Sequence, residues 1–492
     1  MHFTLMSSFT LLVMTTTSPT SAPSVAMSPV QRLALATIGL AQFAVAMDFS
    51  IVYVAMPTIG AELNMDPATL QWLITAYSLP FAGFLLFGGK VVDRVGALRV
   101  FVAGIAVFGA ASVLAGVATA DWLVITGRAM QGLAGAFLSP AILALLSVNF
   151  PTGPVRARAY SIWGAVGASG LAAGVVLGGL FTEVSWRLIF LVNIPIVLIC
   201  IWGTRKMTDT IKVDAARSRV PAVSTILGTA AILLVVLTLT LFGETGADPL
   251  QLGIVGAVAL VALIVFLVNE HRSQKPLIDR PLRRIKNLRR GALAAALYMS
   301  SVGTEFFIVT LFLQDQRGFS PLAAGLGFLP LAALVTVGNV FAGRLLKTWT
   351  APRVLLLGFG ISAAGLLLLA TMLGVESFWV GLLPGFLVSG LGHGMVFTSV
   401  FVLGNTGVPG ELSGAAGAVL TSAQYVSNGV GIAILTILVT HIAGTAGFAW
   451  AFGFNTAVAL AGILLAITTL RAGGQPPEPA DKLDRAQSGA SS

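Results

Sequence analysis

Apolar residues run along this chain in blocks of about twenty, separated by short polar stretches. Within each block the apolar positions are continuous rather than alternating. Continuous runs read as helices in lipid, whereas the strands of a membrane barrel alternate apolar and polar positions. Fourteen such helices are predicted, over residues 32–59, 70–90, 99–118, 122–148, 158–181, 187–204, 221–243, 250–269, 290–313, 322–346, 353–374, 378–404, 412–440 and 446–470. The expected fold class is an all-α polytopic membrane protein.

Charge tests that count. If both termini lie inside, 25 of the 28 Lys and Arg fall in inner segments. Arg187 and Arg317 fall on the other side, and Arg128 lies within a helix. A wrong helix count would scramble this bias, so it favours fourteen helices with cytoplasmic termini. It also accounts for the formal charge of +9, which sits in short loops and predicts no nucleic-acid partner. With 56% hydrophobic and 10% charged residues, the chain is too apolar for a soluble domain. Its one cysteine, Cys200, excludes an internal disulfide and a thiolate metal site. The basic segment 270–290 reads as a topology-setting loop, with contact to anionic headgroups as the alternative. Residues 1–30 read as a disordered tail, or as sequence ahead of a start at Met27; TLLVM is too short for a span and lacks a basic lead-in. Residues 472–492 read as a second disordered tail.

A repeat divides the chain. FGGKVVDRVGALRV (87–100) aligns without gaps to FAGRLLKTWTAPRV (341–354), an offset of 254, and each segment ends one helix and opens the next. Helix 1 then corresponds to helix 9. The expected organisation is a six-helix half over 31–205, two extra helices with linkers over 206–289, and a second six-helix half over 290–471. Carriers built from two parallel halves bind substrate near the midplane between them.

The sequence resembles the major facilitator superfamily, in its fourteen-helix drug:proton antiporter branch. The resemblance rests on GGKVVDRVGALR at loop 2–3, MDFSIVYVAMP (47–57) in helix 1 and GRAMQGLAGA (127–136) in helix 4. WRLIFLVNIP (186–195) and LQDQRGFSPLAAGLGFLP (313–330) are also similar, and the resemblance covers essentially all of residues 30–470. Helix 5 departs from the branch: GLAAGVVLGG (170–179) keeps Gly170, Gly174, Gly178 and Gly179 but has Val175 where a proline is usual. The resemblance implies a proton-driven exporter of amphipathic organic compounds such as antibiotics, working by alternating access in the cell membrane. It also implies that Gly89, Asp93, Arg94, Gly96 and Arg99 form a loop latch that stabilises one access state.

Three charges lie well inside predicted helices: Asp48, Arg128 and Glu305. Intramembrane charges are costly and mark functional sites by default. Counting about 1.5 Å per residue places all three in the outer half of the membrane, with Asp48 and Arg128 at compatible depth. Glu305 occupies in helix 9 nearly the place of Asp48 in helix 1. Burial favours a neutral carboxyl and a nearby guanidinium a charged one, so Glu305 is the stronger proton carrier and Asp48 a partner of Arg128. A structural ion pair is the alternative. His393 is expected to be a packed histidine bonded to backbone, with a proton relay as the sharper reading. The glycines of helix 5 predict a close-packed face, with a sliding gate as the alternative. Trp72, Tyr77, Trp163, Phe306, Phe307 and Tyr425 are candidates to line a cavity for flat substrates.

Other functions fit less well. The four histidines, at 2, 271, 393 and 441, are scattered and no nucleophile–base set appears, which disfavours a membrane enzyme. No phosphate-binding G-x-x-x-x-G-K-[ST] occurs, so no cofactor or nucleotide is expected and the proton gradient is the energy source. Uptake or lipid movement on the same fold remains an alternative, and a channel is disfavoured by the repeat. Expected partners are a small amphipathic substrate, protons and membrane lipid, with the protein a monomer.

Overall fold

The computed structural model describes residues 27–150, 154–207, 222–243, 248–273, 276–278, 280–409 and 412–472. The two tails read from the sequence fall almost wholly outside the described residues. The helices are α1 Pro29–Leu63, α2 Pro67–Val95, α3 Ala97–Gly116, α4 Asp121–Asn149, α5 Pro154–Val184, α6 Leu188–Gly203 and α7 Ala222–Gly243. They continue as α8 Pro249–Arg272, α9 Lys286–Gln316, α10 Pro321–Leu345, α11 Ala351–Met372, α12 Phe378–Asn405, α13 Ser413–His441 and α14 Thr445–Arg471. Among the described residues, 13 of these are long and apolar enough to cross a membrane. The fourteenth, α6, is present where a span was predicted but is shorter, and the count of fourteen rests on it.

Local chemistry explains where several helices begin. Ser28–Pro29, Asp66–Pro67, Asp248–Pro249 and Ser320–Pro321 each place an oxygen-bearing side chain at the cap and proline at the first helical position. The side chain accepts from an otherwise unpaired amide, and proline has no amide to leave unpaired. At α1 the cap is reciprocal: Ser28 Oγ accepts from Gln31 N at 3.2 Å and Gln31 Oε1 from Ser28 N at 3.0 Å.

The turn between α2 and α3 corrects one expectation. Asp93 and Arg94, predicted in a loop, lie in the last turn of α2, because Gly96 alone makes the turn. Its φ of +101° lies in the left-handed region that a side chain disfavours. The 254-residue offset recurs in the helix starts, since α3 begins at Ala97 and α11 at Ala351. The basic segment after α8 is folded locally: the Glu270 carboxylate accepts from Leu277 N, Ile278 N and Arg283 Nη2 at 2.9–3.0 Å.

The glycines of α5 are split between two neighbours, rather than forming the one face expected. A Cβ on Gly170 would lie 2.8 Å from Phe43 O, and one on Gly178 would lie 2.7 Å from Ile51 O, both in α1. At Gly174 it would overlap Ser50 Oγ. Gly179 instead meets α10, where a Cβ would lie 2.7 Å from Leu322 Cα. The Val175 backbone is met from the same side, 2.6 Å from a Cβ built on Gly325. Gly174→Leu is therefore expected to cost about 1–3 kcal/mol by overpacking. Gly164→Leu, on the same helix with nothing within 4 Å, should stay within about 0.5 kcal/mol of the parent. Thermal unfolding of the two variants in detergent checks the contrast.

These α5–α10 contacts lie at the ends of the helices away from the basic loops. Leu322 N also donates to Glu183 Oε1 at 3.3 Å, and Gln314 Nε2 to Val54 O at 2.8 Å, on that same side. Nearer the middle, Ser422 Oγ of α13 donates to Ala82 O of α2 at 2.8 Å. Toward the basic side, Gly164 of α5, Gly343 of α10, and Gly414 and Gly417 of α13 have nothing within 4 Å of where a Cβ would stand. The seal between the halves along α5 and α10 is thus concentrated on one side of the protein.

Candidate functional site

Asp48 is fully buried in α1, and its carboxylate is surrounded. Oδ2 accepts from Arg128 Nη1 of α4 at 2.5 Å. Oδ1 accepts from Gln131 Nε2 at 2.8 Å and Asn193 Nδ2 of α6 at 2.9 Å. Both amides also donate to Ser112 Oγ of α3, at 2.9 and 3.3 Å. Arg128 is buried too. It donates to Gln131 Oε1 at 2.9 Å and through Nε to Leu73 O at 2.8 Å, and its guanidinium lies 4.5 Å from the Tyr77 ring centroid. Five helices, α1, α2, α3, α4 and α6, contribute to the network around this one pair. The depth match between Asp48 and Arg128 is therefore a direct contact. A carboxylate removed from water needs such compensation, because the desolvation cost otherwise exceeds the gain.

Glu305, in α9, is equally buried but differently served. Ser389 Oγ of α12 donates to its Oε1 at 2.9 Å. His393, one turn beyond Ser389, places Nδ1 3.3 Å from Oε2, off the line of a hydrogen bond. Glu305 Oε2 and both ring nitrogens of His393 have no hydrogen-bond partner among the described residues. The Tyr298 ring packs edge-on against the imidazole, 6.2 Å between centroids. No Lys or Arg forms an ion pair with Glu305 among the described residues. His393 is thus not the backbone-bonded histidine expected: neither ring nitrogen bonds a described residue, and Nδ1 faces a carboxyl.

The two sites are related by the repeat. Helix α1 corresponds to α9 and α4 to α12, so each site is a couple between equivalent helices of the two halves. The first is closed with a permanent cation, the second with a serine and a histidine.

Comparison with known sequences decides the family. The profile of the Major Facilitator Superfamily matches residues 38–432. The chain belongs to this superfamily. Within the superfamily, it is 34% identical to a puromycin resistance protein of Streptomyces alboniger over 413 residues, 82% of this chain and 81% of that one. It is 35% identical to a cephamycin export protein of Amycolatopsis lactamdurans over 412 residues, 83% of this chain and 84% of that one. The uncharacterised MFS-type transporter EfpA of Mycobacterium tuberculosis is 33% identical over 423 residues, 84% and 79% of the two chains. The crystal structure of a peptide transporter POT in complex with sulfate aligns with a TM-score of 0.62, over 89% of this chain and 94% of that one. At 16% identity, that likeness speaks for the major facilitator fold alone.

The remaining residues singled out in the sequence are dispersed. Gly89, Asp93, Arg94, Gly96 and Arg99 stay together at the α2–α3 junction on the basic side, where Arg99 Nη1 reaches Val95 O at 3.5 Å. Tyr77 and Tyr425 join Phe49, Tyr53 and Phe81 in a cluster at the boundary of the halves; the Phe81 and Tyr425 centroids are 4.4 Å apart. Phe306 stacks on Phe328 at 5.1 Å and approaches Tyr53 at 6.1 Å. Trp163 binds Gln42 Oε1 at 3.2 Å, Trp72 packs beside Leu79 and Val236, and Phe307 is buried in the main core.

Sequence reasoning missed Ser389 and Tyr298. The signal for Ser389 was there: Ser389 and His393 are two polar residues four apart in an apolar helix, hence on one face. Ser112 gave no comparable signal, as a lone serine in a membrane helix usually bonds its own backbone. Ser112 does so as well, donating to Phe108 O at 2.9 Å.

Proposed function

We propose that this superfamily member is a proton-coupled exporter of amphipathic organic compounds, in which Glu305 carries the proton and Asp48 is the fixed partner of Arg128. The observation that carries this reading is the contrast between the two buried couples. Asp48 has its charge balanced by Arg128 and its lone pairs filled by two amides. Glu305 has one serine and a free oxygen facing an imidazole. Burying an unpaired carboxylate costs several kcal/mol, so the form suited to this site when closed is the neutral acid. When the cavity opens to water the ion becomes affordable, and the proton leaves.

The names of the relatives supply the direction and the cargo class. One relative is named for resistance to puromycin and another for export of cephamycin, and both compounds are organic antibiotics. The aromatic cluster at the boundary of the halves suits flat, partly apolar molecules. By the positive-inside rule the basic side is cytoplasmic, which puts both termini inside and the α5–α10 seal on the outer face of the cell membrane. The structure then corresponds to a state closed to the outside. Substrate enters from the cytoplasm, the halves rock, and protonation of Glu305 from outside accompanies release there. Loss of that proton to the cytoplasm resets the carrier. Ser389 Oγ donates to Glu305 and not to His393, so the second couple lacks the hydroxyl–imidazole bond of a catalytic serine, and transport rather than catalysis is the reading.

Inside-out vesicles with an acid interior test it. Adding puromycin, a cephamycin or a cationic dye outside should collapse the pH gradient in vesicles that hold the protein and not in empty ones. A gradient that survives every member of a broad panel, while the same vesicles accumulate the compound, would sink proton antiport.

A further inference from the structure

A recess lies on the basic side of both couples and includes neither. It is a groove of about 820 Å³ between the basic-side ends of α1 and α5, walled by Ala36, Gly39, Leu40, Phe43, Ile162 and Val166. Two cations, Arg32 of α1 and Arg158 of α5, stand at its basic-side mouth. Both are exposed. Arg32 uses Nε to bond Met27 O at 3.0 Å, and Arg158 makes no hydrogen bond or ion pair with a described residue.

The groove looks toward lipid rather than into the central boundary. At about 100° per residue, Ile162, Val166 and Ser169 lie on the side of α5 broadly opposite Gly164, Val175 and Gly179. Val175 and Gly179 are the α5 positions whose backbone meets the other half, and Glu183 reaches it by its side chain at the far end of the helix. Farther along, α1 and α5 are in backbone contact at Gly170, Gly174 and Gly178. The recess is therefore a wedge where two tightly packed helices part, not a general roughness of the lipid-facing surface.

We propose that this wedge is a binding site for one anionic phospholipid of the cytoplasmic leaflet. The charge arrangement selects the head: two guanidinium groups converge on one mouth, and the guanidinium fork matches phosphate oxygens. The length suits one chain. From Arg32 to Phe43 is about 16 Å along α1, close to half of a hydrocarbon core about 30 Å thick. A phosphate at the arginines thus places its acyl chain against Ala36, Leu40, Ile162 and Val166, ending near Phe43. The occupant is a component of the membrane and not the exported compound, so this site stands apart from the transport reading above.

Purified protein, delipidated and titrated with phosphatidylglycerol or phosphatidylcholine, tests it by native mass spectrometry. The parent should retain phosphatidylglycerol about ten-fold better than phosphatidylcholine, a difference of about 1.4 kcal/mol. The preference should disappear in the double variant Arg32→Gln/Arg158→Gln, which removes the charges. It should also disappear in Ala36→Trp, which fills the exposed floor while leaving every charge that sets topology. Equal retention of the two lipids by the parent overturns the proposal. So does retained preference in either variant, because loss in only one would place the lipid elsewhere or make its recognition purely apolar.

Discussion

Glu305→Gln should reduce substrate-driven proton movement to the level of empty vesicles while leaving the protein folded in the membrane. The amide keeps the shape of the acid and an oxygen that can accept from Ser389 Oγ, 2.9 Å away in the parent. What it loses is the ability to bind and release a proton. The thermal midpoint in detergent should not fall, since the substitution removes a titratable group that pairs with no Lys or Arg among the described residues. Glu305→Asp, which restores the acid on a shorter arm, should recover part of the coupling. His393→Asn should slow exchange and move its pH profile without abolishing it, as expected of a group that positions the carboxyl. Full proton exchange by Glu305→Gln would return the role to Asp48 or to neither.

Arg128→Ala acts on stability instead. It strands Asp48 in a fully buried cage whose remaining donors are Gln131 and Asn193. Removing one partner of a buried ion pair costs about 3–5 kcal/mol, because the other charge is left uncompensated. The Tyr77 contact at 4.5 Å is lost with it. Replacing both partners, as Asp48→Asn with Arg128→Met, should recover most of that loss, since no unpaired charge remains. Thermal unfolding of the single and double variants measures the difference. A single variant as stable as the parent would mean that the pair is not held charged.

Much of this was legible in the chain because membrane insertion writes strong signals. A helix in lipid must satisfy its own backbone and shed its charges, so spans show as long apolar runs and loops as basic punctuation. Asp48 and Arg128 could be matched by depth alone, because intramembrane charges are few and each needs a partner. Glu305 was visible for the same reason. Which residues it meets was not, because the polar face of Ser389 and His393 does not name its partner and only the packing of α9 on α12 brings it to the carboxyl. The glycines of α5 misled in a related way. Their spacing marks close approach but not the partner, and the fold assigns three to α1 and Gly179 to α10. The sequence pattern places the end of α2 at its first charge, Lys90, whereas the helix runs on to Val95. A span can carry its helix beyond the hydrocarbon, and it took the left-handed Gly96 to end this one.

The closed ion pair in the first half has an electrical consequence. A membrane voltage acts on net charge, at about 2.3 kcal/mol per elementary charge per 100 mV. Asp48 and Arg128 sum to zero, so wherever their half moves the field does no work on them. On the proposed assignment the buried machinery presents the voltage with one variable charge, that of Glu305. Export of a neutral compound against one proton then carries one positive charge inward each cycle and is driven by voltage as well as by acidity. Export of a monovalent cation against one proton carries none, and draws on acidity alone.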